Sequence, residues 1–574
     1  MVIKDKLPVS YLLFTNRGRV SRLTYWTASI FIWCSFYILF TLLDHFVSYA
    51  ATWAVYPLLF WVLYATATKR LHDSNRNGYW LLLALIPVLG PMALLYLLGF
   101  KKGSPGQNRY GSNPLHAPDY FKNNTVKPET GKLLVNDVTQ LNPVFVSAIE
   151  TPENIEQLQS VVKNTTRPIS IGGGRFSMGG QTASADSLHI DMRKLNKIIH
   201  FSAKDKIIKV EAGTRWCDIQ HEIDKHDLSI KIMQTYANFT VGGALSVNCH
   251  GRYIGLGPVI LSVKAIEAIL ANGDLAKASK TENPDLFFAV IGCYNAIAVI
   301  ATVELELEEN VAVERFSKTM KANSYWKFFK ESIRDHKEVV FHNGDIYPPL
   351  YQNVRAVSWL KTEKKPTEKT RLMPLAAAYP LERYFIGAFS KSKFGKWRRE
   401  NIYDPMLYAK KKIHWRNYEA GYDVAELEPE SRKLSTYVLQ EYFVPVAHFD
   451  VFRIQMAEIF NRHQVNVINV SIRHAMKDSG SLLAWANEEV FAFVIWYKQK
   501  TDAVEKGKVA VWTRELIEAA IKNGGSYYLP YQSHATKSQF LKAYPNAGKL
   551  MDLKRKMDPT YKFRNVIWDT YYQP

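Results

Sequence analysis

The chain has 574 residues, of which 47% are hydrophobic and 22% charged, a globular balance that excludes a disordered chain. Its 73 Lys and Arg against 53 Asp and Glu leave a net charge of +20, which favours anionic surfaces as partners. The mean hydropathy of −0.17 excludes a protein that is mostly membrane-embedded.

Three windows near the N-terminus, residues 24–43, 46–68 and 77–100, contain no Asp, Glu, Lys or Arg. Each is long enough to cross a hydrocarbon core, which takes about 20 residues of helix. Trp26, Trp53, Tyr79 and Trp80 lie near the window ends, where amphipathic rings favour the interface. The third window contains Pro87-Val88-Leu89-Gly90-Pro91, a break that would turn a span into a hairpin of two short halves. Lys4, Lys6, Arg17, Arg19 and Arg22 precede the first window, and Lys69, Arg70 and Arg76 follow the second. The positive-inside rule puts both groups in the cytoplasm. Three full spans would then leave the rest of the chain outside. A hairpin, with Lys101 and Lys102 after it, would leave it in the cytoplasm, which is the side favoured here.

Three motifs punctuate this region: Gly18-Arg19-Val20-Ser21-Arg22, Arg70-Leu71-His72-Asp73-Ser74, and Gly106-Gln107-Asn108-Arg109-Tyr110-Gly111. Their order and separation resemble a small bacterial inner-membrane domain of unknown function. The resemblance implies a multi-pass protein of the bacterial inner membrane and no chemistry. His72 and Asp73 are expected to hold the loop together rather than to form a proton or ion site. The module is assigned to residues 1–118, followed by a polar linker at 119–140.

A capped helix start, Thr151-Pro152-Glu153-Asn154, opens the next region. The short apolar strand Pro168-Ile169-Ser170-Ile171 then runs into Gly172-Gly173-Gly174-Arg175-Phe176-Ser177-Met178-Gly179-Gly180-Gln181. A loop with five glycines exposes backbone N–H groups to a phosphate, although it is neither GxGxxG nor a P-loop. A second glycine cluster, Gly242-Gly243-Ala244-Leu245-Ser246-Val247-Asn248-Cys249-His250-Gly251, follows some 65 residues later. Val263–Leu270 and Val299–Leu307 read as strands.

This order resembles the PCMH-type FAD-binding domain of the vanillyl-alcohol-oxidase superfamily, over residues 141–309. The resemblance implies FAD as cofactor. Its expected contacts are Ile171, the loop from Gly172 to Gln181, Gly242, Gly243, Ser246, Asn248, His250, Gly251 and Ile300. Relatives with covalent flavin carry a histidine where Phe176 stands, so noncovalent FAD is expected. Two glycines of the family pattern are replaced by Asn295 and Ala298, which puts standard flavin geometry in question.

Residues 310–574 alternate helical and strand patterns and are expected to form a cap on an antiparallel sheet. The fold class is therefore α+β: a helical transmembrane module, a two-subdomain PCMH-type FAD-binding fold, and an α+β substrate cap whose C-terminal segment returns to the flavin. Gln440-Glu441-Tyr442-Phe443-Val444-Pro445, a strand ending at Arg473, and the segments around His534-Ala535-Thr536-Lys537 and Lys562–Trp568 resemble aldonolactone and alditol oxidases. Residue types alone leave Glu441 and Arg473 open as a structural ion pair. The resemblance implies Glu441 as base, Arg473 as the cation facing reduced flavin, and Lys537 and His534 as groups closing the site.

The basic segment 391–416 carries nine Lys and Arg against two acids, interleaved with Phe394, Trp397, Tyr403, Tyr408 and Trp415. It reads either as a solvated face or as a patch against anionic headgroups. No nucleic acid and no metal are expected as partners. The four cysteines, Cys34, Cys217, Cys249 and Cys293, lack metal-ligand spacing and suggest no disulfide scaffold.

The expectation is a membrane-anchored FAD-dependent oxidoreductase acting on a hydroxyl of a sugar, polyol or aldonolactone. Oxygen or a membrane quinone would accept the electrons. The alternatives are an oxidase of a lipid-linked sugar, of the decaprenylphosphoryl-ribose type, and a flavin-binding membrane sensor without turnover.

Overall fold

The computed structural model describes residues 9–16, 18–104, 110, 132–373, 392–421, 432 and 434–572. It divides into two compact units, 1–123 and 124–574.

In the first unit, two helices are long and apolar enough to cross a membrane, Arg22–Phe46 and Tyr49–Asp73. Ser21 caps the first by accepting from the Thr24 N–H at 3.2 Å. The third apolar window is not one span, contrary to the continuous range 77–100. It breaks into a 3₁₀ turn at Gly78–Leu85, a short helix at Leu89–Leu95 and a π turn at Tyr96–Phe100. The chain folds back so tightly at Gly90 that a Cβ there would sit 1.7 Å from the Leu83 carbonyl. Pro87 and Pro91 withhold the amide donors that would have continued a helix.

Two of the three motifs meet at Asp73. Its carboxylate accepts from Arg19 at 3.0 Å and from Arg70 at 2.6 Å, all three side chains buried. His72 Nδ1 lies 3.0 Å from the Gly18 carbonyl. A buried charge needs such partners, and here they join the loops, the role expected for this pair. The third motif and most of the linker lie outside the described residues, save Tyr110, whose ring stacks on His72 at 3.7 Å.

The second unit contains three larger sheets. Ala148–Glu150, Leu188–Asp191 and Ile169–Gly172 form a small parallel sheet. Asn154 caps the adjoining helix Ile155–Asn164 by accepting from Gln157 N at 2.8 Å. A six-stranded sheet is built around Ala298–Glu309, whose antiparallel neighbours are Val263–Leu270 and Ile207–Glu211. Gly273, at φ +90°, turns the hairpin that joins Val263–Leu270 to Leu275–Ser279. The third sheet has eight antiparallel strands. Val490–Lys500 lies in it between Val467–Ala475 and Ser435–Pro445. The helices Phe449–Arg462 and Ala503–Lys522 belong to this region, and their apolar faces join one continuous core.

The C-terminal segment returns to the parallel sheet. Ile169 N donates to the Lys562 carbonyl at 2.6 Å, and Arg564 N donates to the Ile169 carbonyl at 2.8 Å. Lys554, fully buried, holds this return in place. Its ammonium donates to the carbonyls of Ala296 and Phe563 at 2.5 and 2.9 Å and pairs with Asp558 at 2.9 Å.

Candidate active site

The strand Ile169–Gly172 delivers the chain into the glycine loop. The loop is packed too closely for side chains: a Cβ on Gly172 would lie 2.8 Å from the His189 ring, and one on Gly173 would lie 2.2 Å from Thr240 Oγ1. Arg175 takes φ +59° and pairs with Asp191 at 3.4 Å. The far side of the loop is tied to the segment 529–531. Met178 N donates to the Pro530 carbonyl at 2.7 Å, and Gln181 Nε2 donates to the carbonyls of Leu529 and Tyr531 at 2.8 and 2.6 Å.

Two adjoining cavities open beneath the loop and share Gly173, Ser177, Thr182, Thr240, Gly243 and Val247 in their walls. The first is completed by Ile171, Gln181, Gly242, Ser246, Asn295 and Ile300 among others, without a charged side chain. The second runs past Phe176 and Tyr236 to His250, Glu441, Arg473 and Tyr531. Most expected cofactor contacts line these walls, but Gly172, Gly179, Gly180, Asn248 and Gly251 do not. Asn248 turns elsewhere, donating to Asp478 at 2.6 Å and accepting from Ile260 N at 3.2 Å.

The residues present fit an FAD. One of the two adjoining cavities is lined by Gly173, Gly242 and Gly243 and by the hydroxyl residues Ser177, Thr182, Thr240 and Ser246, with no carboxylate to repel a diphosphate. The other cavity is walled in part by aromatic rings and holds two arginines, Arg175, paired with Asp191, and Arg473. The replaced glycines leave these walls intact. Asn295 adopts φ +54°, the left-handed conformation that asparagine tolerates best after glycine. Ala298 starts the strand opposite Leu270 and is not among the lining residues. Phe176 packs edge-on against Phe239 and Tyr236, with ring centres 4.7 and 5.3 Å away.

The eight-stranded sheet supplies the polar end of the cavity. Glu441 and Ser471 both face Val494 in register, while Phe443 and Arg473 both face Ala492. Glu441 and Arg473 are therefore two positions apart across an intervening strand, and the period of two puts them on one face. Gln440 points to the other face, where it donates to Tyr497 and Thr513 at 3.0 and 2.9 Å.

Glu441 is buried, and its Oε1 lies 2.6 Å from His250 Nε2. The Tyr531 hydroxyl donates to Oε2 at 3.4 Å. His250 Nδ1 lies 3.1 Å from the Gly251 carbonyl. Both ring nitrogens thus face acceptors. Burial pushes the Tyr531 phenol well above its usual range, and the Glu441 carboxylate pushes it the same way, so it remains a donor. Burial holds the Arg473 guanidinium below its usual range, and Glu441 counteracts this. Arg473 Nε is buried without a hydrogen-bond partner, one donor left for a bound group.

Lys537 and His534 are not brought into this wall. Lys537 is exposed at the first turn of the helix Lys537–Ala543. His534 is held about 4, chiefly by burial and then by Arg514 and Lys506, and lies outside the lining residues. Tyr531, three residues earlier, occupies the place expected of them. Sequence reasoning missed it, as it missed Tyr236, because neither stands in a periodic or glycine-rich pattern; Thr240, which was not singled out, opens the second glycine cluster.

Two adjoining glycine-lined cavities, with a carboxylate–imidazole pair and an arginine on an antiparallel sheet in the wall of one, define an FAD-dependent oxidoreductase with a PCMH-type cofactor domain. Residues 146–279 match the family described as FAD binding domain, and residues 13–112 match the protein family of unknown function DUF805. The chain is thus a fusion of these two domains with an oxidase-like cap. L-gulonolactone oxidase of Mus musculus is 22% identical over 72% of this chain and 91% of its own. Cytokinin dehydrogenase 3 of Arabidopsis thaliana is 27% identical over 41% of this chain and 47% of its own. Among solved structures, cholesterol oxidase from B. sterolicum superposes with a TM-score of 0.60 at 14% identity, covering 77% of this chain and 97% of that one, a likeness of fold.

Proposed function

We propose that the protein oxidises a hydroxyl of a sugar lactone or related polyol, from a place on the bacterial inner membrane. The observation that carries this reading is the Glu441–His250 pair, 2.6 Å apart in a cavity wall that also holds Arg473. The similarity to L-gulonolactone oxidase over most of both chains supports the substrate class.

Bound FAD supplies the hydride acceptor. Glu441, with His250 behind it, takes the hydroxyl proton as the C–H bond breaks, a contribution of typically 10²–10⁴ in rate. Arg473 orients the substrate oxygen and offers a fixed positive charge where negative charge accumulates. Tyr531 holds the Glu441 carboxylate from its second oxygen. Phe176, Tyr236 and Phe239 keep water from the cavity that holds them. Phe176 has no ring nitrogen with which to bond the cofactor, which supports noncovalent FAD.

The helices Arg22–Phe46 and Tyr49–Asp73 support multi-pass attachment. They equally favour a lipid-linked sugar as substrate and a membrane quinone as acceptor beside oxygen, with the catalytic unit on the cytoplasmic face. Anaerobic bleaching of bound flavin by a panel of lactones, polyols and polyprenyl-phosphate sugars sorts these readings. No bleaching by any hydroxyl donor rejects the activity.

A further inference from the structure

The segment 393–409 is a helix of inverted polarity. It runs as Lys393–Arg398, a π turn at Arg399–Tyr403, and Asp404–Ala409. Its polar groups turn inward. Arg399 donates to the Ile468 carbonyl at 2.9 Å and to Asn469 Oδ1 at 3.1 Å. Asp404 accepts from the Tyr347 hydroxyl at 2.8 Å, and Glu400 accepts from Asn353 at 2.5 Å. Both acids of the segment are thereby used on the protein side.

The apolar residues face out. Phe394, Trp397, Ile402 and Met406 are 64%, 51%, 47% and 72% exposed. Their spacing is three, five and four residues. The five-residue step coincides with the π turn, whose wider loop keeps Ile402 on the stripe that Trp397 begins. Lys393, Lys410 and Lys411 are exposed at the two ends of the stripe, and Lys396 is half-buried beside it. Surface stripes of this size on soluble proteins mark interaction sites. Here the outward chemistry is aromatic and aliphatic with cations at its rim, the composition of a helix that lies in a membrane interface. The same chain also carries two helices apolar enough to span a bilayer.

We propose that residues 393–409 form a second, peripheral membrane contact, in which Phe394, Trp397, Ile402 and Met406 enter the headgroup region of an anionic bilayer and the flanking lysines meet lipid phosphates. The contact rests on the membrane attachment proposed above, and the experiment separates the two.

The full chain, with Cys34→Ser and Cys217→Ser to remove the accessible native thiols, receives Met406→Cys labelled with a polarity-sensitive nitrobenzoxadiazole probe. It is placed in nanodiscs of phosphatidylglycerol with phosphatidylethanolamine, in nanodiscs of phosphatidylcholine alone, and in detergent. The expected result is a blue-shifted, several-fold brighter emission in the phosphatidylglycerol discs, reduced by high salt and by Phe394→Glu with Trp397→Glu. A probe at Val504→Cys, 71% exposed elsewhere on the same unit, should not respond. A chain that enters the discs with unchanged emission overturns the peripheral contact alone. Equal brightening in phosphatidylcholine overturns the assignment to an anionic surface. A chain that fails to enter either disc overturns the membrane attachment itself. Retained flavin absorbance in each variant shows that the fold is intact.

Discussion

His250, next to the second glycine cluster, and Glu441, on a strand of the eight-stranded sheet, meet through a 2.6 Å hydrogen bond between residues 191 positions apart. The bond joins the expected cofactor region to the cap, and in the proposed reaction Glu441 is the base. Glu441→Gln should therefore slow anaerobic flavin bleaching by about 10²–10⁴ while flavin content stays unchanged. His250→Asn should slow it less, because the carboxylate survives but loses the hydrogen bond that orients it. Stopped-flow absorbance with a bleaching lactone measures both, and an unchanged rate in Glu441→Gln rejects the base.

Arg473 is the one cation among the described lining residues of its cavity besides Arg175, which is paired with Asp191. Arg473→Met should lower the bleaching rate by about 10²–10³, the scale for removing one preorganised charge contact. Arg473→Lys should recover part of it, since the charge returns without the planar fork. The two variants compared in the same assay separate charge from packing.

Gly173 and Thr240 touch each other in the wall that the two cavities share. Gly173→Ala would drive a methyl to 2.2 Å from Thr240 Oγ1 and should yield a protein with little flavin. Adding Thr240→Ala removes the obstruction and should restore binding. Flavin-to-protein absorbance ratios of the purified variants decide this, and full loading of Gly173→Ala alone would show that this wall does not hold the cofactor.

Much of this architecture was legible in the sequence. The glycine loop was readable because a strand and a phosphate-binding turn leave a compositional mark. Gln440 and Glu441 lie on opposite faces, as adjacent positions of a strand with a period of two must. What was not legible arises between distant elements. Nothing local marks Tyr531 as the neighbour of Glu441, or Asn248 as a tie to Asp478. The helix Ala503–Lys522 begins nine residues before its apolar pattern becomes regular at Trp512, because Asp502 caps it by accepting from Glu505 N. The third apolar window was legible in part: Pro87 and Pro91 marked the break in the sequence, and the structure adds the tight turn at Gly90.

His189 lies beneath the glycine loop, and burial, followed by the Arg175 charge, pushes it from 6.5 down to about 3. The folded protein keeps this ring neutral, whereas the unfolded chain protonates it below 6.5. Its contribution is therefore complete above pH 6.5 and is lost as the pH falls from 6.5 toward 3. His189→Gln should flatten that acid limb. The temperature of flavin release, compared at about pH 7.5 and about pH 5, checks it. An equal drop in both proteins would assign the acid sensitivity to other groups.

Phe176, in the cavity wall, stands where relatives with covalent flavin carry a histidine, and FAD is therefore expected to be held noncovalently. The most direct test is the visible spectrum of the full chain purified in detergent, before and after acid precipitation. The account predicts a flavin spectrum that moves entirely into the supernatant with the absorbance of FAD. A colourless protein, or flavin that stays with the precipitate, would contradict it.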